Sequence, residues 1–234
     1  MIKKIISALI VLSLSVTMLP LSMAAEFEDL DRAQALAAYG TPVIDGEIDS
    51  VWDKTSYNVM DIVRGGNGNF YTGWFKVLWD EDNLYVLAKV YGTHFDNSDV
   101  SPWNNDSFEI FVDEGLERST KYDSNDYQVR SDFKGAVSGQ NYDLTKVQAA
   151  GKLEEDYYYA EMKVPFVEIK GKADAVLGFD VQVNISKTIA AARECIGWTE
   201  SSRKGAPSSD TSIFGNLVLK NTVSTIKRIS VIFL

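Results

Sequence analysis

Trp103 and Glu109 share the stretch SPWNNDSFEIFVDEG, residues 101–115. An indole offers a flat apolar platform with a polar edge, and a carboxylate accepts two or more hydroxyl bonds. Further on, DYQVR places Gln128 and Arg130 at alternate positions, so both face one way if the segment is extended. Arg130 donates from a rigid planar fork, and Gln128 both donates and accepts. Asp132 continues the same parity. Pyranose rings present apolar C–H faces that stack on indoles and hydroxyls that suit planar polar partners. The set Trp103, Glu109, Gln128, Arg130 and Asp132 is therefore suited to holding a neutral sugar. The bland alternative is an exposed Glu–Arg pair beside a chance tryptophan, which these residues taken alone fit equally well.

Catalytic chemistry has fewer materials. His94 is the only histidine, in YGTHFDNSD, and no G-x-S-x-G stretch accompanies it. Cys195 is the only cysteine, so a disulfide within the chain and a zinc site of several His or Cys ligands are both excluded. Its setting, AARECIGW, reads as a small packed side chain. Haem ligation by His94 with Met60 or Met162 has no spacing signal. Paired carboxylates remain, since glycoside hydrolysis needs only two of them about 5–10 Å apart. Glu109, Asp113 and Glu161 lie on strand-like patterns, where an outward carboxylate is more often simply solvated.

The elements that must position these groups read as strands. VLWDEDNLYVLAKVY predicts a hairpin turning at DEDN. In DSFEIFVD, Phe108, Ile110 and Val112 share one face while Glu109, Phe111 and Asp113 share the other. YYYAEMKVPF sets Tyr158, Ala160, Met162 and Val164 on one side. FDVQVNI buries Phe179, Val181, Val183 and Ile185 and turns Asp180, Gln182 and Asn184 the other way. Period-two patterning of this kind predicts an all-β fold, a jelly-roll-like antiparallel β-sandwich of roughly 9–11 strands. Helical signal is thin: DRAQALAAY over residues 31–39 predicts a turn or two, and VPFVEIKG a short helix after Pro165. Trp52, in GTPVIDGEIDSVWDKT, is expected to plug the core.

The ends are distinct from this pattern. A basic MIKK, an apolar run and the small residues of SMA predict a secretory signal peptide over residues 1–24. A leader segment follows at 25–37, the sandwich at 38–219, and a basic-apolar tail at 220–234 too short to span a membrane. Of 234 residues, acidic outnumber basic by 33 to 23, a formal charge of −10, and cleavage of the leader removes Lys3 and Lys4 as well. So acidic a surface disfavours nucleic acid and anionic polysaccharide and leaves neutral ligands or cations.

Several blocks together, YGTPVIDGEIDSVWDKT, KVLWDEDNLYVLAKV, SPWNNDSFEIFVDEG, DYQVR, GFDVQVN, IGWTE and SIFGNLVL, resemble in content and order the family 9 carbohydrate-binding modules, β-sandwiches attached to bacterial xylanases. The resemblance covers about residues 38–219. It implies binding to plant cell-wall glycans, xylan or cellulose, especially at chain ends, and a non-catalytic role beside a glycoside hydrolase domain. Carried over, Trp103 matches the first of two clamping tryptophans, and Glu109, Gln128 and Arg130 match the hydroxyl readers. Asp132 stands where the family continues with asparagine. Ser208 stands where the second clamp tryptophan belongs, and Trp198 of IGWTE matches a different tryptophan. Weaker binding or altered specificity is the expectation. The family also implies structural calcium, for which Asp45, Glu47, Asp49, Asp96, Asp99 and Asp113 are loop or loop-edge oxygen donors. Two alternatives stand beside this reading: an endo-xylanase fragment acting as part of a modular hydrolase, and a surface interaction domain that has lost sugar binding.

Overall fold

The computed structural model describes residues 32–64, 71–186, 194–199 and 207–223. The chain divides into two compact units, Met1–Arg32 and Ala33–Leu234, and the described strands all lie in the second. The expected signal peptide at 1–24 and residues 224–234 of the tail lie outside the described residues.

Thirteen strands form among the described residues. They are β1 (Gln34–Tyr39), β2 (Asn58–Met60), β3 (Ile62–Arg64), β4 (Thr72–Trp79), β5 (Asn83–Tyr91), β6 (Ser107–Asp113) and β7 (Asp126–Asp132). Then come β8 (Val137–Gln140), β9 (Gln148–Leu153), β10 (Tyr157–Pro165), β11 (Val176–Ile185), β12 (Glu194–Gly197) and β13 (Gly215–Lys220). Hydrogen-bonded neighbours run β8-β7-β6-β11-β13-β1-β4-β5-β10-β9, with β12 joining β11 to β3 and β2 flanking β4. The β-sandwich expected from period-two patterning is the fold observed, with more strands than the expected 9–11 because short edge pieces such as β2, β3 and β12 carry little sequence pattern.

Two ladders, both made by one strand, depart from the antiparallel expectation. Strand β1 pairs parallel with β13, Gln34 opposite Asn216 to Ala38 opposite Lys220, and its end pairs parallel with β4 at Ala38–Leu78 and Tyr39–Trp79. It is thus a corner strand that passes from one sheet to the other. The helical turn expected over residues 31–39 is therefore corrected to a strand. Intrinsic propensity for helix in an Ala-rich stretch yields to two ladders waiting for a partner. The short helix expected after Pro165 is also absent, and the backbone N–H groups of Val167, Glu168 and Ile169 donate instead to the buried Glu114 carboxylate.

Between the sheets lies one main core. Phe108, Ile110 and Val112 of β6, Val181 and Val183 of β11, Val86, Ala88 and Val90 of β5, and Tyr158, Ala160 and Met162 of β10 all face it. The DEDN hairpin joins β4 to β5 as expected, Asp80 closing it by accepting from Asp82 N and Asn83 N. A second, smaller cluster covers the outer side of β4 and β5 and contains the fully buried Trp52. The Trp52 indole donates to Glu161 Oε1 at 3.0 Å, so its burial leaves no N–H unpaired.

Candidate functional site

Strand parity turns the opposite side of the β6-β7-β11 sheet into a polar floor. Glu109 on β6 faces Arg130 on β7 and Gln182 on β11 across the ladders. Ser107 faces Asp132 and Asn184, while Phe111 faces Gln128 and Asp180. Side chains directly opposite on one face stand about 5 Å apart, so each row is a line of potential partners.

Glu109 is the hub. Its Oε2 accepts from Arg130 Nη2 at 2.5 Å and from Gln128 Nε2. Its Oε1 accepts from Gln182 Nε2 at 2.7 Å and Asn184 Nδ2 at 3.1 Å. The net extends outward on both sides: Arg64 of β3 donates to Gln182 Oε1, and Arg130 Nη1 donates to Ser138 Oγ of β8 at 3.1 Å. Cys195 Sγ donates to Asn184 Oδ1 at 3.5 Å, a packed thiol as expected. A carboxylate with four donors and 0% exposure is an organiser: it fixes the orientation of Gln128 and Arg130 from beneath. Glu109, expected to meet ring hydroxyls, is here bonded on both carboxylate oxygens to side chains of the strands beside it.

Arg130 has capacity left. It is 6% exposed, its Nε has no hydrogen-bond partner, and it lines a cleft of about 280 Å³. Asp132, Asn97, Pro102, Asn105, Ser107 and Ser138 share that lining. Asp132 is committed to shaping the rim: it accepts from Lys134 N at 2.8 Å, Ala136 N at 2.9 Å and Asn97 Nδ2 at 2.8 Å. Trp103 sits in a single 3-10 turn, Pro102–Asn104, between the lining residues Pro102 and Asn105. It is 48% exposed, unusual for an indole that the fold had every opportunity to bury. The structure therefore brings Glu109, Gln128 and Arg130 into one bonded net, with Asp132 and the Trp103 turn at the cleft beside it.

The residues of the net that sequence reasoning did not assign to the site are Gln182, Asn184, Arg64 and Ser138. The alternation in FDVQVNI already turned Gln182 and Asn184 away from the core, but nothing in one sequence says that β11 neighbours β6. Trp198 packs edge-on against Phe75, centroids 5.5 Å apart, and so belongs to the core. Glu161, a candidate for a hydrolytic pair by its strand pattern, lies on β10 in the other sheet and accepts from Gly46 N as well as Trp52.

The loop carboxylates expected to hold calcium are scattered. Asp45 accepts from Glu47 N, Asp49 from Val43 N, Asp96 from Ser98 and Ser186 hydroxyls, and Asp99 from Ser101 N. Among the described residues, no three His, Cys, Asp or Glu side chains converge as a metal shell by themselves. Asp113 differs, for it pairs across β6 and β7 with Asp126, which is 1% exposed and whose Oδ1 has no hydrogen-bond partner. Burial, with Asp113, Asp123 and Glu117 adding repulsion, pushes the Asp126 carboxyl up to about 6.

Comparison with known proteins bears on this geometry. A family profile described as carbohydrate family 9 binding domain-like matches residues 44–222. Exoglucanase XynX of Acetivibrio thermocellus is 35% identical over 201 residues, 85% of this chain and 18% of that protein. Endo-1,4-beta-xylanase A of Thermotoga neapolitana is 36% identical over 187 residues, 79% of this chain and again 18% of the relative. The chain thus spans less than a fifth of the length of either. A family 9 carbohydrate-binding module from Caldicellulosiruptor kristjanssonii, solved in complex with glucose, superposes with a TM-score of 0.73 at 30% identity. That match covers 83% of this chain and 99% of the other, and the same module solved with cellotriose superposes equally well.

Proposed function

The chain belongs to the family 9 carbohydrate-binding domains, and from that premise we propose that it grips plant cell-wall glycans, xylan or cellulose, at the cleft beside Arg130. It is a carbohydrate-binding module. The observation that carries the placement of its site is the buried guanidinium of Arg130, locked by Glu109 and Ser138 yet keeping an unpaired Nε, beside an indole left half in solvent. A sugar ring laid on Trp103 would offer hydroxyls to Arg130 and Gln128, held rigid by Glu109, and the rigidity lowers the ordering cost of binding. Glucose and cellotriose in the Caldicellulosiruptor module support a glucan or related pyranoside as ligand. The net negative charge supports a neutral one.

Calorimetry with soluble cello- and xylo-oligosaccharides tests this. Trp103→Ala should weaken binding by about thirtyfold or more, the worth of a lost tryptophan hot spot. Equal binding by parent and variant would remove Trp103 from the site.

The module's work is binding, with catalysis supplied by a glycoside hydrolase domain to which it is joined or recruited; the xylanase and exoglucanase names of the relatives support that partnership. Export follows from the composition of residues 1–24. Calcium is proposed at the Asp113–Asp126 end of the floor, supported by the orphaned Oδ1 of Asp126 amid acidic neighbours. Neighbouring carbonyl oxygens would complete its shell. The melting temperature should rise when calcium replaces EDTA, and Asp126→Ala should abolish that response. An unresponsive parent protein would dismiss the ion.

A further inference from the structure

The sheet that carries β4, β5 and β10 also has a face turned away from the main core. Strand register draws one row across it: Val59 of β2, Trp74 of β4, Lys89 of β5, Tyr159 of β10 and Lys152 of β9. The next row sets Thr72, Tyr91 and Tyr157 side by side. The Trp52 cluster covers the Leu87 end of this face. Toward the other end Tyr57 and Val59 are exposed, and Trp74, Tyr91, Tyr157 and Tyr159 are half-buried. Their rings follow one another, with centroids 5.9 Å apart from Tyr57 to Trp74, 6.5 Å to Tyr159, 5.2 Å to Tyr157 and 5.8 Å to Tyr91. Lys89 stands among them. Its Nζ lies 3.6 Å from the Tyr157 centroid, 4.6 Å from that of Tyr91 and 5.1 Å from that of Tyr159. Ring quadrupoles attract an ammonium there and leave its charge intact. The lysines beside it are occupied: Lys152 pairs with Glu47 at 2.8 Å and Glu154 at 3.6 Å, and Lys76 donates to Trp52 O at 2.8 Å. Among the described residues, no carboxylate forms an ion pair with Lys89. In a chain of formal charge −10, an unpaired cation amid accessible rings suits an anion that also has apolar faces.

We propose that this face is a separate binding surface for acidic xylan, taking a glucuronate side group at Lys89 and the adjoining pyranose rings at Trp74 and Tyr57. This rests on the carbohydrate-binding reading above but not on the Arg130 cleft, whose lining comes from β6, β7, β8 and the loops beside them. The rings favour a sugar over a bare inorganic anion, which would leave their apolar surface unused. A carboxylate on that sugar would accept a charge-assisted hydrogen bond from an ammonium that has no competing acid. The net charge selects among uronate glycans. A polymer with a carboxylate on every residue is repelled by the acidic remainder of the surface, whereas a neutral backbone with scattered acids is not. One unpaired lysine likewise matches one carboxylate at a time.

The experiment is calorimetry in the Trp103→Ala protein, where the cleft is disabled, with xylotriose, xylotriose bearing one glucuronate, and polygalacturonate. The acidic xylotriose should bind at least tenfold more tightly than either of the others. Adding Lys89→Met should remove that advantage, and Lys89→Arg should keep it within about threefold. If Lys89→Met does not fold, Lys89→Gln replaces it and should lose the same tenfold. In the protein with Trp103 intact, Lys89→Met should bind cellotriose as the parent does. Equal binding of acidic and neutral xylotriose overturns the inference, as does an advantage that survives the loss of the ammonium. Polygalacturonate bound as tightly as the acidic xylotriose overturns the assignment to xylan. In each of these cases, cellotriose binding by the parent leaves the cleft standing. A parent that binds none of these sugars brings down both readings together.

Discussion

Glu109 and Arg130 form a buried ion pair, and what such a pair contributes depends on what else satisfies it. Here every acceptor site of the carboxylate is occupied by a side chain fixed to a neighbouring strand. Glu109→Gln keeps the shape but replaces one oxygen with a donor, which must then face either Arg130 and Gln128 or Gln182 and Asn184. It also leaves the guanidinium buried without its countercharge. The expected loss is about 3–5 kcal/mol in urea unfolding, with sugar binding lost in parallel because Gln128 and Arg130 are no longer oriented. An unfolding midpoint equal to the parent's would show that the net is far looser than its hydrogen bonds indicate. Trp103 behaves in the opposite way: it contributes little to folding in its exposed turn, so its substitution should change binding and leave the melting temperature in place.

At the scale of elements, the floor depends on β6, β7 and β11 lying side by side, and β1 links the sheet that holds them to β4 and β5. Strand β1 supplies the ladder between β13 and β4, and the N–H of Asn216 donates further to Ala33 O at 2.8 Å. Ala35 and Ala37 of β1 are buried in the main core, and Ala38 in the smaller one. A chain beginning at Thr41 would keep the residues matched by the family profile, 44–222, yet lack this strand. It should fail to unfold cooperatively, with the β13 edge exposed for association. A sharp thermal transition at the parent's temperature would show that β1 is dispensable. The sequence of β1 carries no warning of this role: QALAAY has good helix formers and no alternation, because a strand buried on both faces needs none.

Across the whole molecule, burial of carboxylates makes stability depend on pH. Burial pushes Asp180 up to about 7, against donors from Val181 N and Thr199 and the nearby positive charge of Arg64. Burial likewise raises Asp106 to about 6. Each folded-state value lies above the ordinary 3.8, so between about pH 4 and 7 the native state binds more protons than the unfolded chain. The stability these groups lend is complete below that window and is lost as pH rises through it. Urea midpoints should therefore fall from about pH 5 to about pH 8, and Asp180→Asn should flatten the slope and stabilise most at the alkaline end. A midpoint rising over that range would contradict the burial of Asp180 as a proton-holding group. By itself the sequence determined the fold class, the parity of nearly every long strand, the burial of Trp52 and the chemistry of the Gln128–Arg130 face, because alternation and side-chain type are local properties. It could not determine that Gln182 and Asn184 would complete the shell of Glu109, that β1 would close the sandwich as a strand, or that Tyr122 would reach Pro207. Those are contacts between segments far apart in the chain, and only the order and register of the strands bring them within bonding distance.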